Sequence, residues 1–397
     1  MYRFALILGM LAAIGPFAID MYLPAMPGIA ADLSASASGT QLTLTAFFLA
    51  FGLSQLVYGP WADQAGRKRP LYTGLTIFAL GSVGCVLAPS LPVLVACRFL
   101  QGMGGAVVMV MPRAIVRDLH TGPKATRLMA TVMLVISVSP MLAPLAGSAV
   151  MGFGGWRGIF AILAVLGVLG LVLTARALPE TLPPERRVSV NLKSLGAGLR
   201  RLLTDPTFMG LTFIAGFGMA SFFVFLASAS FVYVDQFGLS PTGFSLAFAV
   251  NAVGFFSASQ VAGPLAERIG ITRVILLGVG AFLCFSLATL SLVAAGGGLA
   301  VIMGGLFLGN AGLGLVIPTV SVMALDAHGK IAGLAASLGG TLQMVTGGLM
   351  IVVSGLFFDG TAVPMLAIIA SCAVVAALLA ASVLPRLVRA QRAAAML

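Results

Sequence analysis

Long apolar runs alternate with short polar breaks along the whole chain. The runs cover residues 4–27, 40–61, 71–90, 92–114, 126–150 and 156–178, then 208–234, 242–264, 272–294, 298–323, 331–357 and 363–385. Most are about 18–25 residues long, the length an α-helix needs to cross a hydrocarbon core about 30 Å thick. Inside such a core every backbone polar group must find its partner within the segment, so the runs predict twelve transmembrane helices. A transmembrane β-barrel would need ~10-residue stretches of alternating polarity, and the chain shows none. Between the third and fourth runs lie only Pro89 to Pro92, a tight turn that reverses the chain.

The one long polar break, residues 179–207, divides the chain into six runs plus six. The expected organisation is an N-terminal bundle (1–178), a linker (179–207) and a C-terminal bundle (208–397). A short repeat supports the division: Gly59-Pro60-Trp61-Ala62-Asp63-Gln64-Ala65-Gly66 returns as Gly263-Pro264-Leu265-Ala266-Glu267-Arg268-Ile269-Gly270, each after the second run of its half. Within the break, Leu192, Leu195, Leu199 and Leu202 recur at helical spacing with Lys193, Arg200 and Arg201 off that stripe. This fits a short amphipathic helix on an anionic membrane surface; a flexible linker is the alternative.

Composition agrees: 60% of the 397 residues are apolar and 8% charged, against about 25% charged in soluble domains. The net charge of +11 does not form a nucleic-acid-binding face, because its basic residues sit between the runs. Arg3, the group Arg67 to Arg69, then Arg113, Arg117, Lys124 and Arg127 fall on one side if there are twelve spans. So do Arg176, Arg186, Arg187, Lys193, Arg200, Arg201, Arg268, Arg273, Lys330, Arg386, Arg389 and Arg392. Arg157 alone sits in an opposite loop. The positive-inside rule then puts both termini in the cytoplasm. The first run is long, holds Asp20 and is followed by Pro24 and Pro27, so it is expected to remain as a span and not to be cleaved as a signal peptide. The four cysteines lack metal or redox spacing and the two histidines, His120 and His328, fall in predicted loops; packing or solvation is expected of all six.

Three motifs stand out. The loop after the second run reads Gly59-x3-Asp63-x2-Gly66-Arg67-Lys68-Arg69, where glycines allow a tight turn and Asp63 can pair with a cation. The fourth run carries Arg98-Phe99-Leu100-Gln101-Gly102, and the fifth Pro140-x3-Pro144-x2-Gly147. The first motif resembles the signature loop of the major facilitator superfamily, where it serves as a conformational latch. The second resembles the RxxQG motif of its proton-coupled members. The third resembles the GPxxGG antiporter motif, with Ala143 and Ser148 in place of two of its glycines. With Ile19 to Pro27 and Glu180 to Arg187, these features resemble the Bcr/CflA subfamily of drug:proton antiporters. The resemblance implies a monomeric, multi-pass bacterial inner-membrane protein that exports multidrug or phenicol- and bicyclomycin-like antibiotics.

The residues make their own case for proton coupling. Of eleven acidic residues, only Asp20 lies well inside a run. A carboxylate in lipid is costly and marks function, and burial favours its proton-bound form. Arg98 is the one deeply placed cation, at a similar depth, and Gln101 shares its helix face. An Asp20–Arg98–Gln101 cluster is therefore expected, either as a proton-coupling site or as a static ion pair. Phe222, Phe225 and Phe248 could line an aromatic cavity, and Tyr22, Gln41, Thr45, Asn251, Asn310 and Gln343 are polar residues that could face it. No P-loop is present, and no catalytic group, cofactor or metal is expected. The expected function is proton-driven drug export by alternating access, with the bilayer, protons and a small drug as partners. The alternatives are export of a metabolite or sugar on the same fold, an uncoupled channel, or a membrane enzyme, which would need a polar cluster beyond Asp20 and Arg98.

Overall fold

The computed structural model describes residues 2–120, 122–187, 192–326 and 328–395. The side chains of Arg3, Leu192, Lys330, Arg389 and Arg392, used in the sequence reading, lie outside the described residues. All regular structure among the described residues is helical. Eleven stretches are long and apolar enough to cross a membrane, and one of them, Arg127–Arg176, is 50 residues long. At 1.5 Å per residue it would measure about 75 Å, more than twice a hydrocarbon core. Gly155 breaks it with a left-handed φ of 58°. The two arms make twelve spans, as the apolar runs predict.

Several helices outrun the apolar runs, because hydropathy marks what lipid covers while the helix continues into polar surroundings. The first span is α1 (Tyr2–Asp20), a 3-10 turn (Leu23–Ala25) and α2 (Met26–Asp32). Pro24 and Pro27 produce this interruption, since proline lacks the donor an interior helical position needs. Then follow α3 (Ala37–Ala65), α4 (Lys68–Val86), α5 (Leu91–Gly105), α6 (Val107–Leu119) and the two-armed α7 (Gly122–Arg176). The linker forms α8 (Leu192–Thr204), so the helical alternative holds there. The rest is α9 (Pro206–Phe231), α10 (Pro241–Ile269), α11 (Ile271–Ala294), α12 (Leu299–Asp326), α13 (Ala332–Phe357) and α14 (Ala362–Ala395).

The chain forms two compact units: Met1–Ser194 with Gly238–Leu246, and Leu195–Phe237 with Ala247–Leu397. In the first, α1 packs on α7, and α5 lies against α3 and α4; in the second, α9 packs on α13 and α14, and α11 on α12. Both units are built on the same close contacts. A Cβ on Gly104 would collide with the backbone of Gly74 and Phe78; a Cβ on Gly312 would come 2.7–2.8 Å from the backbone of Gly278 and Phe282. Gly66 and Gly270, the last residues of the repeated loop, share a φ of 89°, a region open to glycine.

Many large apolar side chains remain uncovered, Leu87, Phe153 and Leu356 among them. In water these patches would drive aggregation; in a bilayer they meet lipid tails. Arg157, the lone basic residue of its loop, is spoken for locally. It pairs with Asp32 (2.6 Å), donates to the Ala88 carbonyl (3.2 Å) and lies 4.0 Å from the Trp156 ring, while Trp156 Nε1 donates to Asp32 as well (2.9 Å). Of packing and solvation, His328 takes packing: it is buried, edge-on to Phe208 and 3.1 Å from Asp205, which caps the start of α9.

Candidate functional site

Arg98 sits on α5 with no exposed surface. Its Nη1 donates to Gln101 Oε1 (2.5 Å) and to the Ala18 carbonyl of α1 (3.0 Å). Gln101 passes the chain on through Nε2 to Ser82 Oγ (2.7 Å), which donates to the Phe78 carbonyl (2.7 Å). Three rings enclose the guanidinium: Phe47 at 4.4 Å, Tyr22 at 4.7 Å and Phe160 at 5.7 Å. Desolvated cation–π contacts are worth about 2 kcal/mol each. Arg98 Nε and Nη2 have no hydrogen-bond partner among the described residues.

Asp20 is 4% exposed, at the last residue of α1. The expected ion pair is not formed: among the described residues, none of the four ion pairs involves Asp20 or Arg98. The contact with α1 is made instead through the carbonyl of Ala18, two residues earlier. Two residues turn a helix by about 200°, so the side chains of residues 18 and 20 leave opposite faces. The aromatic cage thus takes the place of the carboxylate as Arg98's main company.

Of the residues expected to form a latch, Asp63, Gly66 and Arg67 come together at the start of α4. Arg67 donates through Nε and Nη2 to both oxygens of Asp118 (2.7 and 3.0 Å) and through Nη1 to Asp63 (2.7 Å). Thr181 Oγ1 adds a bond to Asp118 (3.0 Å). The backbone N–H groups of Arg67 (2.9 Å), Lys68 (3.2 Å) and Leu182 (3.0 Å) all donate to the Glu180 carboxylate. Burial pushes the Glu180 carboxyl up, but these three donors and the nearby Arg187 charge outweigh it and hold the group below its ordinary range. A Cβ on Gly66 would fall 2.6 Å from Glu180, so glycine is needed there. Gly59 has open space around it, so packing does not explain that glycine. Asp118, Glu180 and Thr181 were not among the expected latch residues. The charge of Arg67 calls for an acid such as Asp118, whereas Glu180 accepts from backbone N–H groups and Thr181 binds Asp118, contacts that leave no signal in sequence.

In the fifth span, a Cβ on Gly147 would strike the Met21 carbonyl, so this glycine lets α7 press against the break after α1. The Pro144 carbonyl accepts from Ser148 (3.1 Å) and Ser245 (3.0 Å). Pro140 shares the helix one turn earlier.

The expected cavity residues are mostly packed. Tyr22 is fully buried, its hydroxyl 2.6 Å from Thr43 Oγ1, and belongs to the Arg98 cage rather than to an open cavity. Gln41 and Thr45 are buried on α3, with Thr45 donating to the Gln41 carbonyl (3.4 Å). Phe225 and Phe248 are also buried, stacked within 2° of parallel at 5.8 Å, and Phe222 stacks on Phe255 at 6.2 Å. Asn251 donates to the Ala247 carbonyl (3.2 Å). Gln343 is half-buried on α13. Asn310 is 6% exposed and lines a small pocket with Phe225.

Twelve spans in two sets built on one contact scheme are the architecture of a membrane transporter. The chain belongs to the Major Facilitator Superfamily, which it matches over residues 8–351. It is 37% identical over 376 residues to an uncharacterized MFS-type transporter, YdgK, of Bacillus subtilis, covering 94% of this chain and 93% of the relative. It is 30% identical over 380 residues to a bicyclomycin resistance protein homolog of Haemophilus influenzae, covering 95% of each. The Bcr/CflA resemblance agrees with that relative. Among solved structures, a D-xylose–proton symporter superposes with a TM-score of 0.77 at 13% identity, over 96% of this chain and 97% of that one, a likeness of fold.

Proposed function

We propose that this carrier exports small amphipathic drugs, bicyclomycin-like antibiotics among them, in exchange for protons, by alternating access in the bacterial inner membrane. In this reading the chain works as a monomer with both termini in the cytoplasm. The observation that carries the proposal is Asp20: a carboxyl group 4% exposed, within a span, with no ion-pair partner among the described residues. An ionised group so placed is costly, and it stands at a helix C-terminus, where the macrodipole disfavours negative charge. Proton binding relieves both costs.

The exchange follows from two states of that group. With its proton, Asp20 needs no cation, and Arg98 rests in its ring cage. Without it, the carboxylate draws on the spare N–H groups of Arg98, Nε and Nη2. That move disturbs the contact between Arg98 and the Ala18 carbonyl, and so the seat of α1 on α5. Binding energy from the drug and the proton gradient then select between packings. The membrane potential contributes about 2.3 kcal/mol per charge per 100 mV. The bicyclomycin resistance relative supports the substrate class. The test is proton movement on adding bicyclomycin to proteoliposomes holding the protein under a pH gradient. Drug-evoked proton flux is expected; transport of drug with no proton movement would refute the exchange.

A further inference from the structure

The two units share a contact scheme but differ at its centre. In the first, Gly74 and Phe78 of α4 meet Gly104 of α5, and Ser82, one turn on, meets Gln101; in the second, Gly278 and Phe282 of α11 meet Gly312 of α12, and Ser286, one turn on, faces Gly309. Six residues before Gly104 is Arg98 and three before it is Gln101; the same steps from Gly312 reach Leu306 and Gly309. The guanidinium and the amide that fill the first unit thus have no counterpart in the second. A pocket lies there, lined by Ser221, Phe225, Ser286, Leu306, Gly309 and Asn310 among others, with room for about one water molecule. Asn310, 6% exposed, is one of the lining residues, and its Nδ2 has no hydrogen-bond partner among the described residues.

An unmet buried donor is costly, and its natural complement is an acceptor. Among the described residues no charged side chain lines the pocket, so neither an anion nor a cation would be neutralised in it. Ser221 already gives its proton to the Gly218 carbonyl (2.7 Å), which leaves Asn310 and Ser286 as the donors. We propose that this pocket binds one uncharged, hydrogen-bond-accepting oxygen held by the Asn310 amide and the Ser286 hydroxyl, supplied by water or by a carbonyl or hydroxyl group of the transported molecule. The second source rests on the carrier function proposed above; the first does not.

Gly309→Ala tests this. Its new methyl would sit 3.8 Å from Ser286 Oγ and 3.9 Å from Phe282 Cδ2, ordinary contact distances, and would occupy the pocket. Gly280→Ala, in open space on α11, is the control. Maps that resolve ordered water, with and without bicyclomycin, are recorded for both variants and the wild type, with bicyclomycin efflux measured in proteoliposomes. We expect wild-type density about 3 Å from the Asn310 amide and the Ser286 hydroxyl, absent in Gly309→Ala and present in Gly280→Ala. A drug oxygen at that point, with KM raised about fivefold to tenfold in Gly309→Ala, assigns the site to substrate. Persistent water with unchanged KM assigns it to water. A dry wild-type pocket in both maps, or an Asn310 amide turned onto a protein carbonyl, overturns the proposal. Should Gly309→Ala fail to fold, Asn310→Leu, which deletes the amide donor, must abolish the same density. Failure of the wild type to move bicyclomycin refutes the proposed function while leaving the water result to stand.

Discussion

Gly81→Ala on α4 isolates the packing that holds the Arg98 network. The added Cβ would lie 2.6 Å from the Gln101 backbone nitrogen, 2.9 Å from its Cα and 3.1 Å from the Cys97 carbonyl oxygen. These are backbone atoms of α5, which cannot swing aside as a side chain can. Relief requires α4 and α5 to part by close to 1 Å. The Gln101–Ser82 bond, now 2.7 Å, then stretches past the range of a hydrogen bond. Overpacking of this kind costs about 1–3 kcal/mol, and the buried bond adds about 1 kcal/mol. For a unit of roughly 200 residues, 2–4 kcal/mol lowers the melting temperature by about 5–15 °C. The assay is thermal unfolding in one detergent, with Gly280→Ala as control, since open space there predicts no loss. Bicyclomycin efflux should fall with Gly81→Ala in parallel. A wild-type melting curve for Gly81→Ala would refute the α4–α5 packing described above.

Other outcomes follow from the cluster around Arg67 and the cage. Arg67→Ala leaves Asp118 without its bidentate partner; as Asp63 is half exposed, a loss of about 2–4 kcal/mol is expected in denaturant unfolding, with Arg67→Lys recovering only part of it. Glu180 is held below its ordinary range, so its contribution is complete above the unfolded value of about 4.3 and disappears as pH falls through the folded value. The stability gap between wild type and Glu180→Gln, followed by thermal unfolding from pH 7 to pH 3, should stay constant to about pH 4 and then close. Arg98→Met removes the cage contacts and also the cost of burying a charge, so its melting temperature should move little while proton-coupled efflux is lost; normal coupled efflux would contradict the role of Arg98.

Much of the fold was legible because the bilayer imposes it. Span length, the break at Gly155 and the helical linker all follow from runs of apolar residues and from stripes within polar ones. Asp20 was legible as the one acid placed inside a run. The company of Arg98 was not. Its rings come from Tyr22, Phe47 and Phe160, far apart in the chain, and cation–π partners leave no spacing in sequence. Equal depth made an ion pair with Asp20 plausible, but depth carries no information about which helix face a side chain takes. The same ambiguity affects Phe225 and Phe248. In helices that are apolar all round, no polar face says which ring lines a cavity and which packs in the core. The cluster around Arg67 was half legible: Gly66 and Asp63 announce a turn and a charge, whereas Asp118 and Glu180 join only through tertiary structure.

The central claim is that Asp20 carries the exchanged proton, and one comparison bears on it most directly. Wild type and Asp20→Asn are placed in proteoliposomes under an inward proton gradient, with bicyclomycin inside and proton and drug fluxes recorded together. The account predicts coupled fluxes in the wild type and, in Asp20→Asn, neither drug-evoked proton movement nor acceleration of drug transport by the gradient. Full gradient-driven exchange by Asp20→Asn would contradict it.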